Sequence, residues 1–267
     1  MLNNLAFLEI IGPALAAGLI ISLMHAPLGM EVLKRGIIFI DLSIAQIAGL
    51  GALLASLYTE NPWLLQLSTL LFALAGGLLF HLLERVFPKR QEALIGCAYV
   101  LASTLALLLL STQAHGSEEL QDLLSGQILF VTWQKLLVYA PLYVLVFLLW
   151  WCFPRLRSGS GFYLLFAATI TPSVHIAGVF VVFASLVMPA LAAIAFLPRA
   201  PKIALLTTVV TGALATTIGI GISMWRDLPA GPVIVLTYAC TALLMGLLAR
   251  RFISRAKPCA TKTCAAS

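Results

Sequence analysis

Charged residues are scarce in this sequence: only 10% of its 267 residues are Asp, Glu, Lys or Arg, whereas soluble domains average about 25%. Hydrophobic residues make up 61% of the chain, and they fall in recurring apolar runs. A run of about 20 apolar residues is long enough to cross a hydrocarbon core of about 30 Å as a helix. The composition therefore excludes a soluble protein and predicts an all-α, polytopic membrane protein. Strict alternation over about 10 residues, which would indicate a β-barrel, is missing.

Signatures of catalysis and of nucleotide binding are also missing. The chain has no His-Glu-x-x-His, no Gly-x-Ser-x-Gly and no Gly-x-x-x-x-Gly-Lys-Ser/Thr motif. We therefore expect no enzymatic activity and no cofactor bound by this chain. If transport is driven by ATP, a partner subunit must hydrolyse it.

The five cysteines show no disulfide pattern. Cys97, Cys152 and Cys240 lie in or beside apolar runs and are interpreted as small core residues. Cys259 and Cys264 lie in a polar tail, where no further histidine or cysteine is close enough in sequence to complete a metal site.

Apolar runs between charges predict eight or nine transmembrane helices. The candidate spans are 5–26, 36–58, 62–84, 92–112, 128–152, 161–174, 176–197, 203–225 and 229–249. The span 161–174 is short and is followed by His175 and Gly178, with Pro172 near its end, so we predict a broken or re-entrant helix there. Residues 1–257 are expected to form a single transmembrane domain, and residues 258–267 a disordered cytoplasmic tail.

The positive charges predict how the chain is oriented. They fall in alternate loops and in the C-terminal tail, at Lys34/Arg35, Arg85/Lys89/Arg90, Arg155/Arg157, Arg199/Lys202 and Arg250/Arg251/Arg255/Lys257. Loops rich in lysine and arginine stay in the cytoplasm. We therefore expect a multi-pass protein of the bacterial inner membrane with a cytoplasmic C-terminus. Because these charges mark helix ends, the net charge of +6 does not indicate a nucleic-acid partner.

One carboxylate, Asp41, lies about one and a half turns inside the predicted second span, with Ser43 and Gln46 close behind. An acidic residue at the centre of a membrane helix costs about 2.5 to 3.5 kcal/mol on insertion scales, so such residues usually serve a function. Asp41 could line a cation path, or it could be neutral and hydrogen-bonded to another helix. Gln46 lies roughly 140° around the helix from Asp41, so these residues form a polar cluster rather than a complete metal site.

Two further places hold candidate functional residues. His175, between two apolar runs, could line a cavity or bind a metal, or it could satisfy a broken backbone. The longest predicted outer loop carries a concentrated set of polar side chains: His115, Glu118, Glu119 and Asp122. This set is either a solvated loop or a surface that docks a partner and attracts cations.

Three segments resemble the ABC-3 family of bacterial permeases, which import zinc, manganese or iron. The first is Val32-Leu-Lys-Arg-Gly-Ile-Ile-Phe-Ile-Asp41, followed by Gly49-Leu-Gly51. The second is Leu123-Leu-Ser-Gly-Gln-Ile-Leu129. The third and most specific is Ala177-Gly-Val-Phe-Val-Val-Phe-Ala-Ser-Leu-Val-Met-Pro-Ala-Leu-Ala192.

This resemblance implies two permease copies, cytosolic ATPase subunits and a periplasmic protein that delivers the metal. The permease would provide alternating access to a transported divalent metal ion, and Asp41 would be a residue of the cation path. The leading hypothesis is therefore a permease subunit of an ATP-driven metal importer. A stand-alone secondary carrier that uses Asp41 for ion coupling is the alternative, and it would need no ATPase.

The sequence departs from the family pattern in two places. Family members often carry a histidine in the second helix, but this chain has Ala45 or Gln46 there, depending on how the segment is aligned. The cytoplasmic loop 154–161 is shorter than the family segment that meets the ATPase. Coupling would then use a reduced contact or other loops, such as 85–92 and 198–202.

Overall fold

The computed structural model describes residues 4–111, 126–196 and 200–255. These residues form nine α-helices and no strand. The helices are α1 (Asn4–Arg35), α2 (Ile40–Ser56), α3 (Pro62–Val86), α4 (Gln91–Leu110), α5 (Trp133–Cys152), α6 (Gly159–Ala177), α7 (Val179–Phe196), α8 (Pro201–Arg226) and α9 (Ala230–Arg255). Short 3-10 turns at Ile128–Phe130 and Pro154–Arg157 precede α5 and α6. The predicted tail 258–267 lies outside the described residues.

Six of these helices, namely α1, α3, α4, α5, α6 and α8, are long and apolar enough to cross a membrane. The shorter apolar stretches Ile40–Ser56, Val179–Ala195 and Ala230–Met245 belong to α2, α7 and α9. Large apolar side chains such as Leu101 and Leu137 are 65% and 68% exposed, as expected of surfaces that face lipid. The predicted all-α polytopic membrane protein is confirmed.

Helix α6 corrects the prediction that 161–174 is short or broken. It is a continuous helix of 19 residues, and most of its side chains are buried. Pro172 lies within it without ending it, and the hydroxyls on either side of the proline bond to backbone carbonyls one turn earlier. Thr171 donates to the Ala167 carbonyl and Ser173 to the Thr169 carbonyl, each at 2.8 Å. Gly178 (φ +82°) then separates α6 from α7.

Helix α1 continues further than the predicted first span. It ends at Arg35, and Lys34 and Arg35 in its last turn complement the negative end of the helix dipole. Gly36, at φ +70°, adopts the left-handed conformation that ends many helices. Helix α2 begins only at Ile40, so Asp41 lies in its first turn and not one and a half turns inside a span.

The helices pack closely where glycine faces backbone. A Cβ on Gly29 of α1 would collide with the Leu186 carbonyl of α7. A Cβ on Gly77 of α3 would lie 2.9 Å from the Tyr163 carbonyl oxygen of α6. Small residues permit this close approach of helices in membranes. The contacts place α6 in the interior, against α3.

Candidate functional site

Asp41 is a buried carboxylate in the first turn of α2, at the end of the helices where α1 ends and α4 begins. Its side chain is 1% exposed, and neither carboxylate oxygen has a hydrogen-bond partner within the described residues. The first turn of a helix is the positive end of its dipole and favours an anion. Asp41 therefore lies at the end of α2 whose dipole favours a negative charge, although its burial disfavours that charge.

Glu92, in the first turn of α4, is a second carboxylate beside Asp41. Its Oε1 accepts a hydrogen bond from the Phe39 amide at 3.1 Å, and its Oε2 is buried without a partner among the described residues. The two carboxylates are close enough to repel each other. The sequence interpretation did not include Glu92, which begins the predicted span 92–112. A second acidic residue at the edge of an apolar run was the signal that could have identified it.

Ser43 and Gln46 are both buried, at 0% and 7% exposure. Ser43 donates a hydrogen bond to the Ile95 carbonyl at 2.8 Å, and this bond connects α2 to α4. Gln46 lies on a different face of α2 from Asp41, as the helical spacing predicts. Whether either residue lines a substrate path stays a prediction.

His175 lies in the last turn of α6, and its side chain is exposed. Lys135, at the start of α5, is its charged neighbour. Asp41 is at the opposite end of the helices, because α6 begins beside the end of α1, where Arg35 contacts Arg157 and Phe162. The structure therefore does not bring His175 and Asp41 together. The other predicted outer residues, His115, Glu118, Glu119 and Asp122, lie outside the described part of the chain.

His25 is a polar residue that the sequence places at the edge of the first span, but the structure places it in the protein interior. It is 0% exposed, because α1 continues beyond it to Arg35. Its Nδ1 lies 2.7 Å from the Ser185 hydroxyl, and its Nε2 lies 3.1 Å from the Ser173 hydroxyl. The Tyr143 hydroxyl is 2.8 Å from Ser173. These four side chains, the His25 network, join α1, α5, α6 and α7, and both ring nitrogens are engaged.

Arg35, in the last turn of α1, contacts several elements at that end of the helices. Its guanidinium donates to Glu31 at 3.2 Å, to Glu84 at 3.4 Å and to the Arg157 carbonyl at 3.0 Å. It also lies over the Phe162 ring, 4.2 Å from the centroid. This Arg35 cluster connects α1 and α3 with the short loop that precedes α6.

Among the described residues, no group of three or more His, Cys, Asp or Glu side chains could hold a metal ion. The distinctive feature is therefore the pair Asp41 and Glu92, with three buried carboxylate oxygens that have no partner within those residues. Such a pair can attract a passing cation, and it is too small to enclose one.

Three proteins show what this chain is similar to. It is 25% identical over 260 residues to the High-affinity zinc uptake system membrane protein ZnuB of Haemophilus influenzae, covering 90% of this chain and 96% of that protein. It superposes on a chain of PsaBC from Streptococcus pneumoniae in complex with Fab with a TM-score of 0.73 and 19% identity, covering 93% of this chain and 96% of that one. A metal-chelate type ABC transporter in an inward-facing conformation gives a TM-score of 0.68 at 20% identity, covering 94% and 90%.

The two solved structures establish the fold alone at these identities. A family model, that of the ABC 3 transport family, matches residues 7–158 and 152–249, which together span most of the chain. The helical architecture, the similarity to a metal-uptake membrane protein and this match agree, and the chain therefore belongs to the ABC 3 transport family.

Proposed function

We propose that the chain is the membrane-spanning permease subunit of an ATP-driven importer of divalent transition-metal ions: zinc, manganese or iron. The observation that carries the proposal is the buried, unpaired carboxylate of Asp41 in a member of a transport family. An anion kept inside a membrane protein without a counter-charge fits a site that a cation visits. The similarity to a membrane protein of a zinc uptake system supports the same substrate class.

The proposal assigns the chemistry of ATP to partner subunits. In the proposed assembly, cytosolic ATPases hydrolyse ATP, a periplasmic protein delivers the metal, and two copies of this chain form the pathway. The chain itself contributes alternating access and binds no resident cofactor, since the metal is the substrate. The chain would lie in the inner membrane with its C-terminus in the cytoplasm, because its basic loops and the Arg35 cluster share one side.

Reconstitution tests this function directly. We would co-express the chain with its neighbouring genes, purify the complex, and measure uptake of zinc, manganese and iron into proteoliposomes. We expect uptake of one metal to require ATP and a metal-loaded binding protein, and to persist when ion gradients are dissipated. Uptake that needs no ATPase and follows an ion gradient would instead establish the secondary carrier.

Arg35 offers a test of how ATP hydrolysis is coupled to the helices. We infer that the exposed loop containing Arg157 contributes to the ATPase contact and that Arg35 positions it. Hydrogen bonds to charged groups contribute about 1.5 to 3 kcal/mol, so we expect Arg35→Gln to reduce ATP-driven uptake about tenfold at normal abundance in the membrane. The measurement is uptake per ATP hydrolysed in proteoliposomes.

Lys34→Gln is the matched control for this variant. The Lys34 side chain is 62% exposed, and within the described residues it forms a single ion pair, a 3.4 Å contact with Glu31, so we expect wild-type coupling. If Arg35→Gln and Lys34→Gln lost uptake per ATP hydrolysed equally, the basic charge at this end of α1 would matter and the geometry of the Arg35 cluster would not.

A further inference from the structure

The connection between α3 and α4 presents a surface that is both basic and apolar. Residues 85–90, with the sequence Arg-Val-Phe-Pro-Lys-Arg, are six consecutive exposed positions and are called the α3–α4 corner below. Three of them are basic, and the large apolar side chains of Val86 and Phe87 are 64% and 50% exposed. Basic residues beside exposed apolar ones are typical of surfaces that lie between membrane and water.

The positive charges of the α3–α4 corner are not neutralised by the protein. Three basic side chains form no ion pair within the described residues: Arg85, Lys89 and Arg90. The two acids nearest in sequence are engaged elsewhere. Glu84 accepts a hydrogen bond from Arg35 at 3.4 Å, and Glu92 accepts one from the Phe39 amide at 3.1 Å. The corner is therefore complementary to a negatively charged group.

Hydrogen bonds hold the backbone of the α3–α4 corner in place. The Arg90 amide donates to the Phe87 carbonyl at 3.0 Å, which closes a turn with Pro88 at the position that proline favours. The next residue, Gln91, is buried and donates to the Tyr163 hydroxyl at 2.5 Å, so the start of α4 is connected to α6. The exposed side chains thus extend from a turn of defined shape.

The apolar part of the α3–α4 corner continues one side of α3. Leu79, Leu82 and Val86 are spaced three and four residues apart, which places them on one side of the helix, and all three are exposed. Exposed leucines on an apolar helix that is long enough to cross a membrane face lipid. This apolar row reaches Phe87 directly. The corner therefore lies at the level where acyl chains end and headgroups begin.

We propose that the α3–α4 corner binds one anionic phospholipid. The headgroup phosphate lies among the three basic side chains, and the acyl chains lie along the row that includes Leu79 and Leu82. Arginine and lysine are the usual partners of phosphate, and lipid is the apolar phase that this side of α3 meets. The inference goes beyond the proposed function and does not depend on it.

Basic residues in a loop also orient a chain in the membrane, and that role explains the charges alone. Orientation does not require Val86 and Phe87 to be exposed beside the charges, nor the row on α3 to lead to them. A contact with an ATPase is the other use of such a loop. The apolar row favours lipid over that contact, because it places the corner at the membrane surface.

Lipid titration followed by native mass spectrometry tests the site without ATP or metal. The full chain would be titrated with dioleoyl phosphatidylglycerol, which is anionic, and separately with dioleoyl phosphatidylcholine, which has the same acyl chains and no net charge. We expect the first phosphatidylglycerol to bind at least about tenfold more tightly, since each basic residue at an anionic surface strengthens binding about fivefold. The variant Arg85→Gln/Lys89→Gln/Arg90→Gln should lose this preference.

A second variant keeps every charge and therefore leaves the orienting role intact. Val86→Ser/Phe87→Ser changes two exposed side chains, so we expect normal folding and phosphatidylglycerol binding about threefold weaker or more. Unchanged binding in this variant would overturn the combined basic and apolar site and leave only orienting charges.

The matched control for the basic residues is Lys34→Gln/Lys202→Gln/Arg226→Gln. It removes three exposed positive charges from other parts of the chain, so any attraction that depends on net charge alone falls equally. We expect this variant to keep the preference for phosphatidylglycerol. Equal losses in the two triple variants would overturn the site in favour of net charge. If the variants of the α3–α4 corner kept wild-type lipid affinity and instead lost a co-purifying ATPase, the corner would be a protein contact and the lipid site would be refuted.

Discussion

Asp41→Asn is expected to reduce ATP-driven metal uptake by about a hundredfold or more, while the protein reaches the membrane in normal amount. Asparagine has nearly the same shape as aspartate, so the packing of α2 should be preserved. The variant lacks the negative charge that a cation meets in the buried, low-dielectric interior. A hundredfold loss corresponds to about 2.8 kcal/mol, within the range of a hydrogen bond to a charged group. Initial rates of metal uptake into proteoliposomes, normalised to protein, measure the effect.

Asp227→Asn is the matched control for Asp41→Asn. Asp227 is exposed, follows α8 and has a left-handed backbone conformation with φ 53°, which asparagine also tolerates. We expect this variant to transport at the wild-type rate. Normal uptake by Asp41→Asn would show that Asp41 is a structural hydrogen-bonding group rather than a residue of the path.

Of the substitutions considered, Gly29→Ala is expected to cause the largest loss of folded protein. The added Cβ would meet the backbone carbonyl of Leu186 in α7, and backbone, unlike the end of a side chain, cannot rotate away. Overpacking of this kind costs about 3 kcal/mol or more when the helices must separate. Size-exclusion chromatography of the solubilised protein at rising temperature should show an earlier loss of the monodisperse peak.

Gly221→Ala, in α8, separates this steric effect from helix propensity. A Cβ at Gly221 has no neighbour within 4 Å among the described residues, and alanine favours helix over glycine. We expect unchanged or slightly raised thermal stability for this variant. If both alanine variants lost stability equally, the close approach of α1 and α7 would not be the cause.

The sequence was sufficient to predict the fold class and the family because both depend on local patterns. Apolar runs predict helices that contact lipid. The segment Ala177–Ala192 resembles one segment of the family, and that resemblance can be recognised without knowing the fold. The boundaries of the helices were harder to predict from the sequence. Pro172 suggested a break in α6, but the helix continues through it, and the burial of that helix among its neighbours leaves no local pattern in the sequence.

The candidate site was only partly predictable for the same reason. Asp41 stands out in an apolar run, and the cost of burying a carboxylate draws attention to it. Glu92 and His25 do not stand out, because each lies near a predicted span boundary. Their roles depend on which helices meet, such as the approach of Glu92 to the Phe39 amide, and no spacing within one segment encodes that contact.

The His25 network has a mechanical consequence. Because one imidazole bridges Ser185 and Ser173, and Ser173 also contacts Tyr143, a tilt of α1 relative to α6 or α7 would break hydrogen bonds where no water replaces them. These helices should therefore move as one rigid body. Any rearrangement that opens the protein first to one side of the membrane and then to the other must take place at the borders of that body, where its outer helices slide against their neighbours.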